Sequence, residues 1–330
     1  MGDPSAFLHV ANGTCTTRNM AAAAVPGDLS VWADPLHEGP VPPGLTDEEL
    51  LDVRARYLAG PDDRSYLNVA KGLRDWRRVI DNHEAYAELV LWFEHDLFDQ
   101  LNLIQLLSWI RGRLPSATVV SLVCIGSFPG RPDFKGLGQL TPVETATLLD
   151  TRVRVAESQY VLAERAWRAF RSPTPEALDD LRRASDTALP YLAAAITRFL
   201  QEYPWTADGL SRTERRLLEL AAAGNLDLSA ALPRMHDGET AYYITDSSTA
   251  ALADSLSLAS PPLVMLEGRT VGDEGLQGSV ALSDTGGAVL AGRQDRIAAC
   301  GIDRWLGGVH LRSGAALWRW DGDRGRITRS

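Results

Sequence analysis

An α/β fold with a parallel sheet, followed by a smaller α+β domain, is what this sequence predicts, on three observations. Residues 7–11, 29–33, 88–93 and 118–125 are short apolar runs rich in Val, Leu and aromatics, as strands buried on both faces require. The segments between them carry helical signals, so strand and helix alternate through roughly the first 130 residues. From Thr141 the strand-like runs stop, and a helical stretch leads into a last segment of helices followed by β-like runs. A chain of 330 residues with 45% hydrophobic and 23% charged positions suits about two domains and excludes disorder, collagen and a disulfide-bound miniprotein.

Taken in order, the first strand runs into Asn12-Gly13-Thr14, and the second into Asp34-Pro35-Leu36-His37-Glu38-Gly39-Pro40. Thr46-Asp47-Glu48-Glu49 is a capping box that opens a helix reaching Ala59. The third strand leads to Glu94-His95-Asp96 and then Asp99-Gln100. Residues 100–111 are apolar on most sides, as in a helix packed on a sheet. The fourth strand ends at Gly126-Ser127. Thr141-Pro142 with Glu144 starts the helical stretch, Thr174-Pro175-Glu176 starts another helix, and Leu189-Pro190 separates that one from the next. Residues 1–140 therefore read as a Rossmann-like α/β domain and 141–204 as a helical connector. Residues 205–330 read as a C-terminal α+β domain opened by a second capping box, Ser211-Arg212-Thr213-Glu214. In it, helices ending with one over 246–258 precede β-like runs at 262–266, 280–282 and 310–320, which is winged-helix order.

Charge and cysteine usage narrow the function classes. The 33 basic against 43 acidic side chains leave a net charge of -10, which disfavours a non-specific grip on nucleic acid or an anionic membrane. The C-terminal domain shares this bias: residues 205–330 hold 13 Arg and no Lys against 16 Asp plus Glu, poor for a DNA reader. Winged helices also dock proteins and form dimers, so a homodimer is a further expectation. Cys15, Cys124 and Cys300 are widely spaced with no C-x-x-C pair, the usage of a reducing, cytoplasmic compartment. No apolar run is long enough to span a membrane, and no leader sequence is visible.

Each strand is followed by polar residues that the strand itself does not need. In a parallel sheet those ends share one edge, where open α/β sheets bind ligands. His37, Glu38, Glu94, His95 and Asp96 are the candidates for acid and base catalysis. His37, His95 and Asp96 are also candidate ligands for a divalent metal. Asn12, Asp34, Asp99, Gln100 and Gln139 are the candidates for binding a small-molecule substrate or effector. If the backbone stays extended past residue 93, Glu94 and Asp96 point one way and His95 the other. Asp99 is expected to cap the following helix. Plainer roles stand beside these: Asp34 closing a turn, His37 bonding a backbone carbonyl, Cys124 an inert buried thiol, His9 a structural histidine, and Gly136-Leu137-Gly138 a turn. No H-E-x-x-H, P-loop, complete G-x-G-x-x-G or G-x-S-x-G string is present, so the mechanics those motifs carry are unsupported.

Six strings also bear on family. They are His9-Val10-x-Asn12-Gly13, Asp34-x-Leu36-His37-Glu38-Gly39-Pro40-Val41-Pro42, Leu91-Trp92-Phe93-Glu94-His95-Asp96-Leu97-x-Asp99-Gln100-Leu101, Phe134-x-Gly136-Leu137-Gly138-Gln139-Leu140, Gly209-Leu210-Ser211-x-Thr213-Glu214 and Asp303-Arg304-Trp305-Leu306-Gly307-Gly308-Val309-His310-Leu311. In them the whole chain resembles the bacterial DUF1835 family, whose members carry an N-terminal DUF1835 domain and a C-terminal extension. Thr14 departs from that family's pattern, which has an acidic residue there. The resemblance brings no reaction with it. Its strings coincide with the strand ends, which favours a ligand or active site there. The expected function is an enzyme, a hydrolase or group transferase, acting on a small polar, phosphorylated or nucleotide-like molecule. The rival is a ligand-sensing regulator whose winged helix meets DNA or a polymerase.

Overall fold

The structure, a computed structural model, describes residues 5–184, 186–272 and 275–330. The chain divides into two compact units, Met1–Ile196 with Trp305–Val309, and Thr197–Arg304 with His310–Ser330. The helices after Thr141 thus belong largely with the first sheet.

In chain order the first unit runs β1 (Ser5–Ala11), α1 (Thr14–Ala22), β2 (Asp28–Val31), β3 (Gly39–Pro40), α2 (Asp47–Ala59), α3 (Asp63–Asp81), β4 (Tyr86–Glu94), α4 (Leu97–Arg113), β5 (Val120–Ile125), α5 (Pro142–Thr147), β6 (Val153–Arg154), α6 (Glu157–Phe170) and α7 (Glu176–Arg183). Helix α8 (Leu192–Leu200) follows and crosses the division. Strands β2, β1, β4 and β5 pair in that order, all parallel, and β6 adds an antiparallel edge. This is the mixed α/β architecture with a mostly parallel sheet that the apolar runs predict. β6 corrects the expectation that strands stop at Thr141; two exposed residues are too short to carry a period-2 signal.

Burial explains the runs. Val90, Trp92, Ala11 and Val123 share one face of the sheet with Met20, Phe134, Leu137 and Leu140. Leu89, Leu91 and Phe93 alternate onto the other face and are equally buried. Helix α4 packs on β4 and under α6, so its buried residues run around the whole helix. The expected capping box forms at Thr46 with Glu49, and the helix start read at Thr141 is a capping box as well, with Glu144.

The order of strands locates a crevice. From β1 the chain moves outward to β2, then crosses back over β1 to β4 and continues outward to β5. Connections leaving β1 and β4 therefore diverge, and their carboxyl ends flank the switch point of the sheet, where α/β folds place ligands.

The second unit runs α9 (Arg212–Ala222), β7 (Leu226–Asp227), α10 (Leu228–Met235), α11 (Asp246–Ser257), β8 (Val264–Gly272), β9 (Gly275–Leu282), α12 (Asp284–Leu290), α13 (Arg296–Cys300), β10 (Asp303–Gly307), β11 (Val309–Arg312), β12 (Trp318–Asp321) and β13 (Arg326–Arg329), with β10 and β11 entering and leaving the Trp305–Val309 piece of the first unit. β7, β9 and β8 form an antiparallel sheet in that order, and β12 pairs with β13. Ser211 and Glu214 form the expected capping box of α9.

Beneath it lies a buried ionic network. Arg198 donates to Glu202 at 2.6 Å, to Glu239 at 3.0 Å and to Thr213 at 2.9 Å, while Arg304 reaches the second oxygen of Glu202 at 3.2 Å. Among the described residues no helix is long and apolar enough to cross a membrane.

Candidate active site at the strand ends

Asn12 leaves β1 still in register with β4, its N–H donating to the Trp92 carbonyl at 3.2 Å. Its side chain then reaches across the crevice. The amide nitrogen donates to Glu94 Oε1 at 2.9 Å and to Asp99 Oδ2 at 3.0 Å, and the amide oxygen accepts from the Thr16 hydroxyl at 2.8 Å. These partners fix which way the amide faces.

The turn from β4 into α4 supplies the acids. Asp96 is extended and caps the helix, its Oδ1 accepting from Asp99 N–H at 2.9 Å. This corrects the expectation that Asp99 is the cap. Asp99 sits in the first turn and folds back, accepting from Glu94 N–H at 2.5 Å as well as from Asn12. Gln100 closes the turn by donating to the Glu94 carbonyl at 2.6 Å. The second oxygen of Glu94 accepts from Leu137 N–H, which ties the 134–140 loop over the strand ends. A side chain at Gly136 would collide with the Glu94 carboxylate, so this approach requires glycine.

Glu94, Asp96 and Asp99 are all buried, and none of the three is ion-paired to Arg or Lys among the described residues. Burial pushes Glu94 well above the usual carboxylate range; the Asp96 charge pushes the same way, against the Leu137 and Asn12 hydrogen bonds. Burial does the same to Asp99, reinforced by Glu94 and Asp96. Asp96 rises only to about 6, because the Asp99 and Phe98 N–H groups and the nearby His37 favour its anion. Helix α4 thus stabilises one of the three charges through its N-terminus. Asp99 Oδ1 is buried and has no hydrogen-bond partner among the described residues. Cys124, beside Gln100, is pushed up to about 12 by burial, which leaves it a thiol.

The other candidates surround this cluster or turn away from it. Both oxygens of Asp34 face the Arg54 guanidinium, at 2.7–3.1 Å, and Asn102 bonds its backbone on both sides, so Asp34 anchors its loop rather than facing the crevice. Arg54 also donates to the carbonyls of Pro35 and Glu38, which shapes the loop that presents His37. His37 stands edge-on to Phe98 at 6.1 Å between ring centroids, with Nε2 3.4 Å from Glu38. Sequence reasoning passed over Arg54. Its signal was an arginine spaced to share the face of Leu50 and Leu51 on α2.

His95 is placed apart from the acids, as the alternation past residue 93 predicts. Its ring lies between Phe134 and Tyr191, and burial lowers its pKa, which keeps it neutral. Gln139 is exposed, and its Oε1 accepts from Lys135 N–H at 2.8 Å, so the amide closes its own loop rather than facing a ligand. His9 accepts from the Trp92 indole at 3.0 Å and faces the Pro26 carbonyl, a core role.

The structure therefore gathers Asn12, Glu94, Asp96, Asp99 and Gln100, with His37 at the edge. Among the described residues no group of three or more His, Cys, Asp and Glu is placed to hold a metal ion, His37, His95 and Asp96 included. Compared with known proteins, the chain matches no protein-family model and no curated protein.

Proposed function

We propose that the crevice outside β1 and β4 is the active site of an acid–base enzyme, a hydrolase or group transferase, acting on a small polar substrate. One observation carries this reading: proton affinities are separated within a single buried carboxyl cluster at the switch point of the sheet. Asp96, capping α4, is held at about 6 and is the base at neutral pH, with His37 beside it. Glu94 and Asp99 keep their protons and are the acid side. The base takes a proton from the attacking group, the acid returns one to the leaving group, and Asn12 holds the two acids in place. A cluster of acids with no Arg or Lys paired to it favours a neutral or cationic substrate over a phosphorylated one. We propose membership of the DUF1835 family as well, on the strings at these strand ends.

The test is a screen of wild type, Asp96→Asn and Glu94→Gln against small esters, amides and glycosides across pH. Asparagine caps helices as well as aspartate, so Asp96→Asn keeps the fold. Turnover that rises through about pH 6 in the wild type and falls by roughly a hundredfold or more in Asp96→Asn, with a melting temperature within a few degrees, is the expected result. Unfolding of both variants would make the cluster part of the scaffold.

A regulator is the second reading, favoured by the second unit. The order α9, β7, α10, α11, β8, β9, with sheet order β7-β9-β8, supports a winged helix. In that reading α11 is the recognition helix, yet it carries Asp246 and Asp254 and no basic residue. Arg212, Arg215 and Arg216 are paired with Glu239, Asp208 and Asp237. These charges favour a protein surface or a second copy of the chain over nucleic acid. A DNA band shift that weakens steeply with salt would reverse that preference.

A further inference from the structure

A cavity of the first unit, about 270 Å³, is lined by Pro43, Ser108, Glu164, Trp167, Arg168 and Arg171. Helix α6 and its C-cap residue Arg171 bring the last four to one side by their spacing of three and four. Ser108 comes from α4, and Pro43 from the proline-rich loop beyond β3.

Arg171 is built into the wall. Its Nε and Nη2 donate to the Pro42 carbonyl at 3.1 and 2.8 Å, and its guanidinium lies 5.7 Å from the centre of the Trp167 ring. The string over residues 303–311, which the strand-end site does not use, meets the end of the string over residues 34–42 behind it. Gly308 N–H donates to the Phe170 carbonyl at 3.0 Å, and a side chain on Gly308 would collide with the Arg171 carbonyl. Gly307, in the left-handed region at φ 59°, accepts from Val41 N–H at 2.8 Å. Three chain segments therefore converge to hold this arginine.

The charge left over is positive. Glu164 is neutralised by Arg111 at 3.1 Å. Arg168 is exposed and makes no hydrogen bond or ion pair among the described residues, and Arg171 Nη1 and the hydroxyl of Ser108, both half-buried residues, make none there either. In a chain of net charge -10 this is a local reversal of sign.

We propose that this cavity binds a small organic anion, a carboxylate or phosphate monoester carried on a flat apolar group. The anion bridges Arg168 and the open edge of Arg171, with Ser108 as an added donor, while the flat group lies against Trp167 and Pro43. The site is separate from the carboxyl cluster and does not depend on the reaction proposed there.

Calorimetric titration of the full chain with benzoate, phenyl phosphate and inorganic phosphate tests it. One-to-one saturable binding of an aromatic probe is expected, with inorganic phosphate weaker, and the preferred probe tells carboxylate from phosphate. Arg168→Glu should weaken that binding tenfold or more and Arg168→Gln by less, both with the fold intact, while Glu94→Gln leaves it unchanged. No saturation below about 10 mM overturns the proposal. So does an Arg168→Glu variant that binds like wild type and only melts lower, since Arg168 then serves just the C-terminal dipole of α6. Weakened binding in Glu94→Gln overturns the separation of the two sites.

Discussion

In the second unit Glu202 is buried between Arg198 and Arg304, and those charges hold it down at about 2 against its burial. In the first unit Glu94, Asp96 and Asp99 are buried as deeply, but their partners are Asn12, backbone N–H groups and one another, and all three are pushed up. Burial acts alike on both sets; the difference is whether an arginine was buried with the acid. The Glu202 network is an ionic joint that is charged at every pH a cell meets. The Glu94 cluster is pushed toward its protonated forms, Asp96 to about 6, which is the property acid–base chemistry needs and a structural joint does not.

The contrast is broken most severely at Arg198. Arg198→Leu leaves Glu202 and Glu239 buried beside one fewer cation, and the expected loss is about 3–5 kcal/mol by urea denaturation. A loss under about 1 kcal/mol would mean that Arg304 and Arg212 suffice and that the network is not a joint. In the first unit the comparable single break is steric. Gly136→Ala pushes the 134–140 loop off the Glu94 carboxylate, with an expected loss of about 1–3 kcal/mol. It should also raise exchange of the Leu137 amide, whose acceptor is Glu94.

Much of this frame was legible in the sequence, for local reasons. The capping boxes at Thr46 and Ser211 and the helix start at Thr141 are complete within four residues, and 88–93 reads as a strand because both its faces are buried. What failed to show depends on distance or on backbone angles. Asn12 meets Glu94 across 82 residues, and the switch point exists only once β4 has paired with β1. Asp96 and Asp99 are equally good caps by residue type; the extended backbone at Asp96 decides between them. Asp34 was visible as a polar residue on a stiff loop, but its partner Arg54 lies on a helix whose pattern explains it only after the loop is seen. β6, at two residues, gave no pattern to read.

The smallest change separates the two sets by the sign of their pH dependence. Glu202, held down, contributes stability that is complete above the unfolded value near 4.5 and is lost as pH falls through about 2. Glu94, Asp96 and Asp99, held up, contribute stability that is complete below their unfolded values and is lost as pH rises, through about 6 for Asp96. Glu94→Gln removes one of these titrations while keeping the shape of the group. At pH 4 the variant turns an amide donor toward either Asn12 or Leu137 and should be about 1 kcal/mol less stable than wild type. As pH climbs past the ordinary carboxyl value near 4.5 the unfolded wild type releases a proton that its folded Glu94 holds, a cost the variant lacks, so the gap between their urea midpoints should close and then reverse. Midpoints that stay parallel from pH 4 to pH 9 would show that Glu94 is already ionised in the folded chain, and would remove the proton donor from the proposed active site.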